Sequence, residues 1–138
     1  MKLPGTIFES ELAVRPDDID LFQHVHSTRY LDYVLAARFD QMKRCYGIAM
    51  EAFIERGLGW VVRRSFIEYQ RPLRMGDTMV VRTRIEEFFN DGVKVWFEIL
   101  RLPGRKASCH GWCDYTLVSL ASGRAQAVPE DVRAAYSV

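Results

Sequence analysis

Asp17-Asp18-Ile19-Asp20-Leu21-Phe22-Gln23-His24-Val25-His26-Ser27-Thr28-Arg29-Tyr30 puts three carboxylates and two imidazoles directly before an amphipathic stretch, Leu31 to Tyr46. We read the first half as a loop and the second as one long helix, and that reading decides the fold, because the rest of the chain reads mostly as strands. Ser27 or Thr28 is placed to cap the helix. A short hydroxyl accepts from the unpaired N–H groups of a first turn, and those groups carry the positive end of the helix dipole. A polarised carbonyl would be stabilised there. Asp20, seven or eight residues ahead of the cap, is close enough to turn back and offer a carboxylate to that carbonyl or to a water beside it.

On a helical wheel Leu31, Val34, Leu35, Phe39, Met42, Cys45 and Tyr46 share one arc, while Arg29, Asp32, Asp40, Lys43 and Arg44 share the opposite one. The apolar arc needs a large surface to pack on. Arg38 falls inside it, where a lone charge is costly. Either its stem snorkels at the edge of the stripe, or it forms a buried ion pair with Asp18, Glu68 or another carboxylate. Gly47 ends the helix as a left-handed cap does, and Ala49 to Glu55 reads as a short second helix before Gly57 and Gly59.

Upstream, Phe8 to Arg15 alternates as a first strand that Pro16 closes, since proline cannot donate to a ladder. Downstream, Trp60 to Gln70 is a strand and Arg71 to Asp77 a bend. Thr78 to Phe88, Val93 to Leu102 and Lys106 to Leu120 are three more strands, divided by Asn90-Asp91-Gly92 and Pro103-Gly104. Asn90, Asp91 and Gly92 are residues that tolerate positive φ in a tight hairpin. Pro129 to Ala135 reads as a terminal helix. The order, β-α-β-β-β-β, implies an α+β fold in which one antiparallel sheet curls around one long helix. Strands of about ten residues favour such wrapping. A curled sheet covered on its concave face leaves edges open, so association with a second copy, as a homodimer or homotetramer, is expected.

Composition narrows the function. The 138 residues suit one domain over 1–138, able to fold without disulfides or metal. A net charge of +1 and a pI near 7.7 give no footprint for nucleic acid. The start, MKLPGTIFES, lacks the apolar core of a secretory signal, and no apolar run reaches spanning length, so a cytoplasmic protein without a membrane segment is expected. Cys109-His110-Gly111-Trp112-Cys113 invites a metal reading, but strand alternation sends both cysteines to one face and His110 to the other. Buried reduced thiols are expected instead.

Val14-Arg15, Asp18-x-Asp20, His24-Val25, Tyr30-Leu31, Ala37-Arg38 and Tyr69-x-x-Pro72-x-x-x-Gly76-Asp77, spread from Phe8 to Leu120, resemble the hotdog-fold acyl-CoA thioesterases of the 4-hydroxybenzoyl-CoA thioesterase type. The resemblance implies a hotdog fold, no cofactor, and hydrolysis of an acyl-CoA or acyl-carrier-protein thioester. It makes Asp20 the catalytic carboxylate, as nucleophile or general base, and a backbone N–H near Ser27 the group that polarises the carbonyl. The chain departs from the pattern in three places. Ser27 stands where some bacterial members have His, Gln23 where a Gly is common, and Phe22 where the plant acyl-carrier-protein thioesterases, which share the His24 segment, carry Asn.

His24 is a candidate to donate to the carbonyl or orient Asp20, or else is a hydrogen-bonded structural imidazole. Asp18 is a candidate acid or a turn residue, and His26 is expected to be exposed. A Ser-His-Asp triad on Ser27 is set aside, because triads are assembled from distant segments. Arg71, Arg74, Arg101, Arg105 and Lys106, at strand ends and turns, are the basic residues available to coenzyme A phosphates. The acyl group is expected between the helix and a neighbouring subunit. Rival readings on the same architecture are a non-catalytic acyl-thioester binding or sensing module and a hydratase or dehydratase.

Overall fold

Alternating side chains build the concave wall of the molecule. The computed structural model describes residues 5–138. In β3 (Thr78–Phe89) Met79, Val81, Thr83 and Ile85 point inward, in β4 (Gly92–Arg101) Val93, Val95, Phe97 and Ile99, and in β5 (Lys106–Ser119) Cys109, Cys113, Tyr115 and Leu117, all buried. The antiparallel register sets these residues opposite one another, as in Val81↔Ile99 and Val95↔Cys113, so one face is continuous and apolar. The other face carries charge and indole: the Arg84 guanidinium lies 5.0 Å from the Trp96 ring centroid and Lys94 Nζ 3.8 Å from that of Trp112.

β1 (Phe8–Ala13) and β2 (Leu58–Tyr69) complete an all-antiparallel sheet in the order β1-β3-β4-β5-β2. A 3-10 turn, Ser27–Arg29, leads into α1 (Tyr30–Gln41), which a π turn, Met42–Tyr46, prolongs to Gly47 at φ 82°. α1 lies against the inner face and leans on β1 and β3. α2 (Met50–Glu55) precedes β2, and α3 (Glu130–Tyr136) closes the chain, its Tyr136 stacked on Tyr46 at 4.6 Å. The curled antiparallel sheet around one long helix is therefore the architecture adopted, with element ends within two residues of those expected. Among the described residues no helix is long and apolar enough to cross a membrane.

Four local expectations are corrected. The buried side of α1 is Tyr33, Val34, Ala37, Arg38 and Gln41, while Leu35 and Phe39 are exposed by 42% and 44%. The helix is rolled because its polar residues find partners below it: Gln41 Nε2 donates to Ser10 Oγ at 3.0 Å, and the Thr83 hydroxyl donates to Gln41 Oε1. Arg38 neither snorkels nor meets Asp18 or Glu68. It is 5% exposed, donates to Thr83 Oγ1 at 3.1 Å and lies over the Tyr46 ring at 5.1 Å. No side chain caps α1 or the turn before it, so Ser27 and Thr28 leave that role empty.

The hairpin at Asn90-Asp91-Gly92 uses no positive φ. Gly92 is required for another reason: a Cβ there would lie 2.0 Å from the Tyr115 carbonyl oxygen on the neighbouring strand. Cys109 and Cys113 are buried free thiols, pushed up to about 12 and about 11 by burial, and Cys45 is half-buried. His110 turns the other way, its Nδ1 2.8 Å from Gln70 Nε2.

Candidate active site

The loop ahead of α1 closes on itself. Asp20 N–H donates to the His24 carbonyl at 2.8 Å and Gln23 N–H to the Asp20 carbonyl at 3.0 Å, with Gln23 itself at φ 63°. Asp20 Oδ1 accepts from Phe22 N–H at 2.8 Å and from His24 N–H at 3.2 Å. Such a short acidic side chain folding back on its own backbone is what fixes tight turns. Asp20 Oδ2 takes no hydrogen bond among the described residues, so one oxygen anchors the loop and the other remains available.

A second loop, between β2 and β3, packs on the first. Val25 N–H donates to the Leu73 carbonyl at 2.8 Å, and Leu73 N–H to the Tyr30 hydroxyl at 3.0 Å. Between them opens a cleft of about 440 Å³ whose walls include Asp20, His24, His26, Ser27, Tyr69 and Arg71. The start of the helical segment forms one side of this cleft, and the N–H groups of Ser27 and Thr28 have no hydrogen-bond acceptor among the described residues. The Tyr69 hydroxyl donates to the Ser27 carbonyl at 2.7 Å and its ring meets Tyr30 edge-on at 5.3 Å, which ties β2 to the helix start.

The structure thus brings Asp20, His24 and Ser27 together in one cleft. The His24 ring is half-buried with no side-chain partner among the described residues, and His26 is exposed at the rim. Asp18 is elsewhere. It is 3% exposed, accepts from the Tyr33 hydroxyl at 2.6 Å and from Arg15 Nε at 2.9 Å, and has Arg29 Nε at 3.6 Å. Burial raises its pKa, but the Tyr33 hydroxyl and the Arg15 guanidinium outweigh burial and hold it below the usual carboxylate value. Its carbonyl accepts His26 N–H at 2.8 Å, so Asp18 braces the loop from behind.

Of the five basic residues, Arg71 lines the cleft, with Nη1 donating to the Ala107 carbonyl at 3.1 Å. Arg105 is turned away to Glu9 at 2.9 Å. Tyr69, Gln70 and Tyr30 are cleft residues that the reading of charged and nucleophilic side chains passed over. Their signal was present in the Tyr69-x-x-Pro72 and Tyr30-Leu31 motifs. Among the described residues no group of His, Cys, Asp and Glu is gathered to hold a metal ion.

A second concavity lies further along α1, a partly open cavity of about 140 Å³ with an apolar lining that includes Met42, Met50, Trp60, Val93 and also Arg38. Both α1 and β2 run from the cleft to this cavity: Tyr30 and Tyr69 stand at the first, Arg38 and Trp60 at the second.

Comparison with known proteins gives three kinds of similarity. The family model described as the thioesterase-like superfamily matches residues 14–136. The long-chain acyl-CoA thioesterase FadM of Escherichia coli (strain K12) is 21% identical over 126 residues, which cover 91% of this chain and 93% of the relative. Among solved structures, a hypothetical protein of Thermus thermophilus superposes with a TM-score of 0.85 at 26% identity, covering 94% of this chain and 96% of the other. The DHNA-CoA thioesterase of Staphylococcus aureus superposes with 0.88 at 16% identity, covering 95% and 89%.

Proposed function

The chain belongs to the thioesterase-like superfamily, and from that membership we propose that it is an acyl-CoA thioesterase, a single hotdog domain working at the cleft before α1. The observation that carries the reading is the pairing, in one cleft, of Asp20, one of whose oxygens is free, with Ser27, whose N–H is open, the Thr28 N–H following it in the same turn. A thioester whose carbonyl oxygen accepts from those N–H groups has its carbon polarised by fixed dipoles.

Asp20 Oδ2 supplies the oxygen chemistry. In one route it attacks the carbonyl carbon, the carbon–sulfur bond breaks, the thiolate leaves and takes a proton, and water hydrolyses the mixed anhydride. In the other it takes a proton from water as that water attacks. Both routes consume one water, release acid and thiol, and place the developing charge on the same oxygen. His24, beside them, orients the carbonyl or Asp20. Arg71 at the cleft wall is the cation placed for the phosphates of coenzyme A.

The same reading makes the protein a homo-oligomer. β2 is a twelve-residue edge strand with an unpaired side, and Val61, Val62, Phe66 and Tyr69 on it are each more than 40% exposed, Val62 beside Leu35 of α1 and Phe66 on the outer face against Trp112. Edge-to-edge pairing of β2 with a second copy extends the sheet and covers these residues. Sedimentation should then give a multiple of 16.0 kDa, and a monomer at micromolar concentration contradicts it.

A panel of acyl-CoA thioesters with a thiol-trapping dye tests the activity: thiol release from at least one acyl class is expected, and none from any chain length or aromatic acyl group refutes it. One observation favours a second reading, an acyl-thioester binding module. Asp20 Oδ1 already accepts two backbone N–H groups, as a purely loop-holding carboxylate would. Tight acyl-CoA binding without turnover, unchanged in Asp20→Ala, would identify that case.

A further inference from the structure

We propose that the apolar cavity beside α1 receives the far end of the acyl chain and that this end carries a carboxylate, so that the substrate is the coenzyme A half-thioester of a dicarboxylic acid. The inference rests on the thioesterase reading above and adds the substrate class to it.

Two residues of a mainly apolar lining stand out: Arg38, a buried cation with no counter-ion among the described residues, and Trp60, whose buried indole N–H has no partner. The Arg38 guanidinium is 5% exposed, yet no carboxylate among the described residues comes within ion-pair distance, and its one hydrogen bond there is to Thr83 Oγ1 at 3.1 Å. A guanidinium has five N–H donors in a planar fork. Trp60, on the facing strand, has a buried indole Nε1 with no hydrogen-bond partner. An orphaned donor costs free energy comparable to a lost hydrogen bond, and a buried charge without a counter-ion is costly as well.

A carboxylate satisfies both. Its two oxygens match the guanidinium fork, and a remaining lone pair accepts the indole N–H. Arg38 is already largely buried by the fold. Only the ligand's own desolvation is added on binding, and a charge-assisted pair in a low-dielectric pocket offsets it. A plain methyl terminus would leave both donors as they are. A hydroxyl would satisfy one without balancing the charge.

The geometry connects cavity to cleft. From Tyr30 to Arg38 is eight residues of helix, roughly 12 Å along the axis. α1 leans on β1 and β3 rather than on β2, and both concavities lie between α1 and β2. Leu35 and Val62, both exposed, stand at the mouth of the cavity. A medium-length acyl chain whose thioester sits at Ser27 thus runs between α1 and β2 and ends at Arg38 and Trp60.

The test compares thioesters of equal length: adipoyl-, suberoyl- and sebacoyl-CoA against hexanoyl-, octanoyl- and decanoyl-CoA, each as kcat/KM with thiol detection. At the best length the carboxylate-ended substrate should lead its plain partner by about tenfold or more, the size of a hydrogen bond to a charged group. Trp60→Phe keeps an aromatic ring against Phe53, 5.5 Å away, but removes the N–H; it should cut that preference about tenfold. Trp60→Phe carries the test because Arg38→Met also breaks the bond to Thr83 beneath α1. Equal or better turnover of the plain or ω-hydroxy chains, or a preference that Trp60→Phe leaves untouched, overturns the proposal while the thioesterase reading stands. If no thioester is hydrolysed, the enzyme reading falls and calorimetry with free suberate or sebacate decides the cavity: binding weakened by Trp60→Phe upholds it, and no binding overturns it.

Discussion

The cleft before α1 and the cavity beside its C-terminal half are built in opposite ways. The cleft is held by backbone, a loop that closes within five residues and a second loop bonded to it, and its walls mix charged, polar and apolar side chains and are open to water. The cavity is held by side chains from α1, the π turn, α2, β2, β4, β5 and α3, and its lining is mainly apolar around Arg38 and Trp60. Under the proposed function water must reach the first, since hydrolysis consumes it. The second is partly open but mainly apolar, and a hydrogen bond to its buried Arg38 discriminates more strongly there. On the two proposals above, the difference separates two tasks: reaction at the open cleft and recognition at the apolar cavity.

The sharpest way to break this division is Asp20→Asn. It keeps an oxygen for the Phe22 and His24 N–H groups and so keeps the loop, but removes the charge; kcat/KM should fall roughly a thousandfold while the melting temperature stays put. A comparable loss of stability would mean that Asp20 is part of the scaffold and that the cleft is not divided between chemistry and support as described.

Asp18 is the converse case. Asp18→Asn weakens its bonds to Tyr33 and Arg15 and should cost about 1–3 kcal/mol of stability, measured by urea unfolding, with a much smaller effect on kcat than Asp20→Asn. Because its folded pKa is lowered, its contribution is present in full above the ordinary carboxylate value of about 3.9 and is lost as pH falls through the lower folded value. Wild type should therefore lose stability more steeply in acid than Asp18→Asn, and parallel curves would refute the bracing role.

The smallest effect is expected at Tyr69→Phe, which removes only the hydroxyl bond to the Ser27 carbonyl. One such bond is worth about 1 kcal/mol, so kcat/KM should drop no more than about tenfold, and a drop as large as that of Asp20→Asn would make Tyr69 a reacting group.

The cleft was legible in the sequence because its parts are close together: Asp20, His24 and Ser27 span eight positions, and a turn suffices to gather them. The cavity was not. Arg38 drew two expectations, a snorkelling stem or an ion pair with Asp18 or Glu68, and met Thr83, 45 positions away on the inner face of β3. Likewise the helical wheel ranked Leu35 and Phe39 above Gln41. It could not know that Ser10 and Thr83 wait beneath the helix to satisfy an amide. Strand alternation placed Cys109 and Cys113 correctly, since period two needs no knowledge of partners. Gly92 was read for its φ and turned out to matter for the strand beside it.

The most direct test of the central claim is a crystal structure with a coenzyme A analogue in which a methylene ketone replaces the thioester. The account predicts the ketone oxygen within hydrogen-bond distance of Ser27 or Thr28 N–H, about 3 Å, and the free Asp20 oxygen facing the ketone carbon. A ketone bound away from the start of the helix, with Asp20 turned to bulk water, would contradict it.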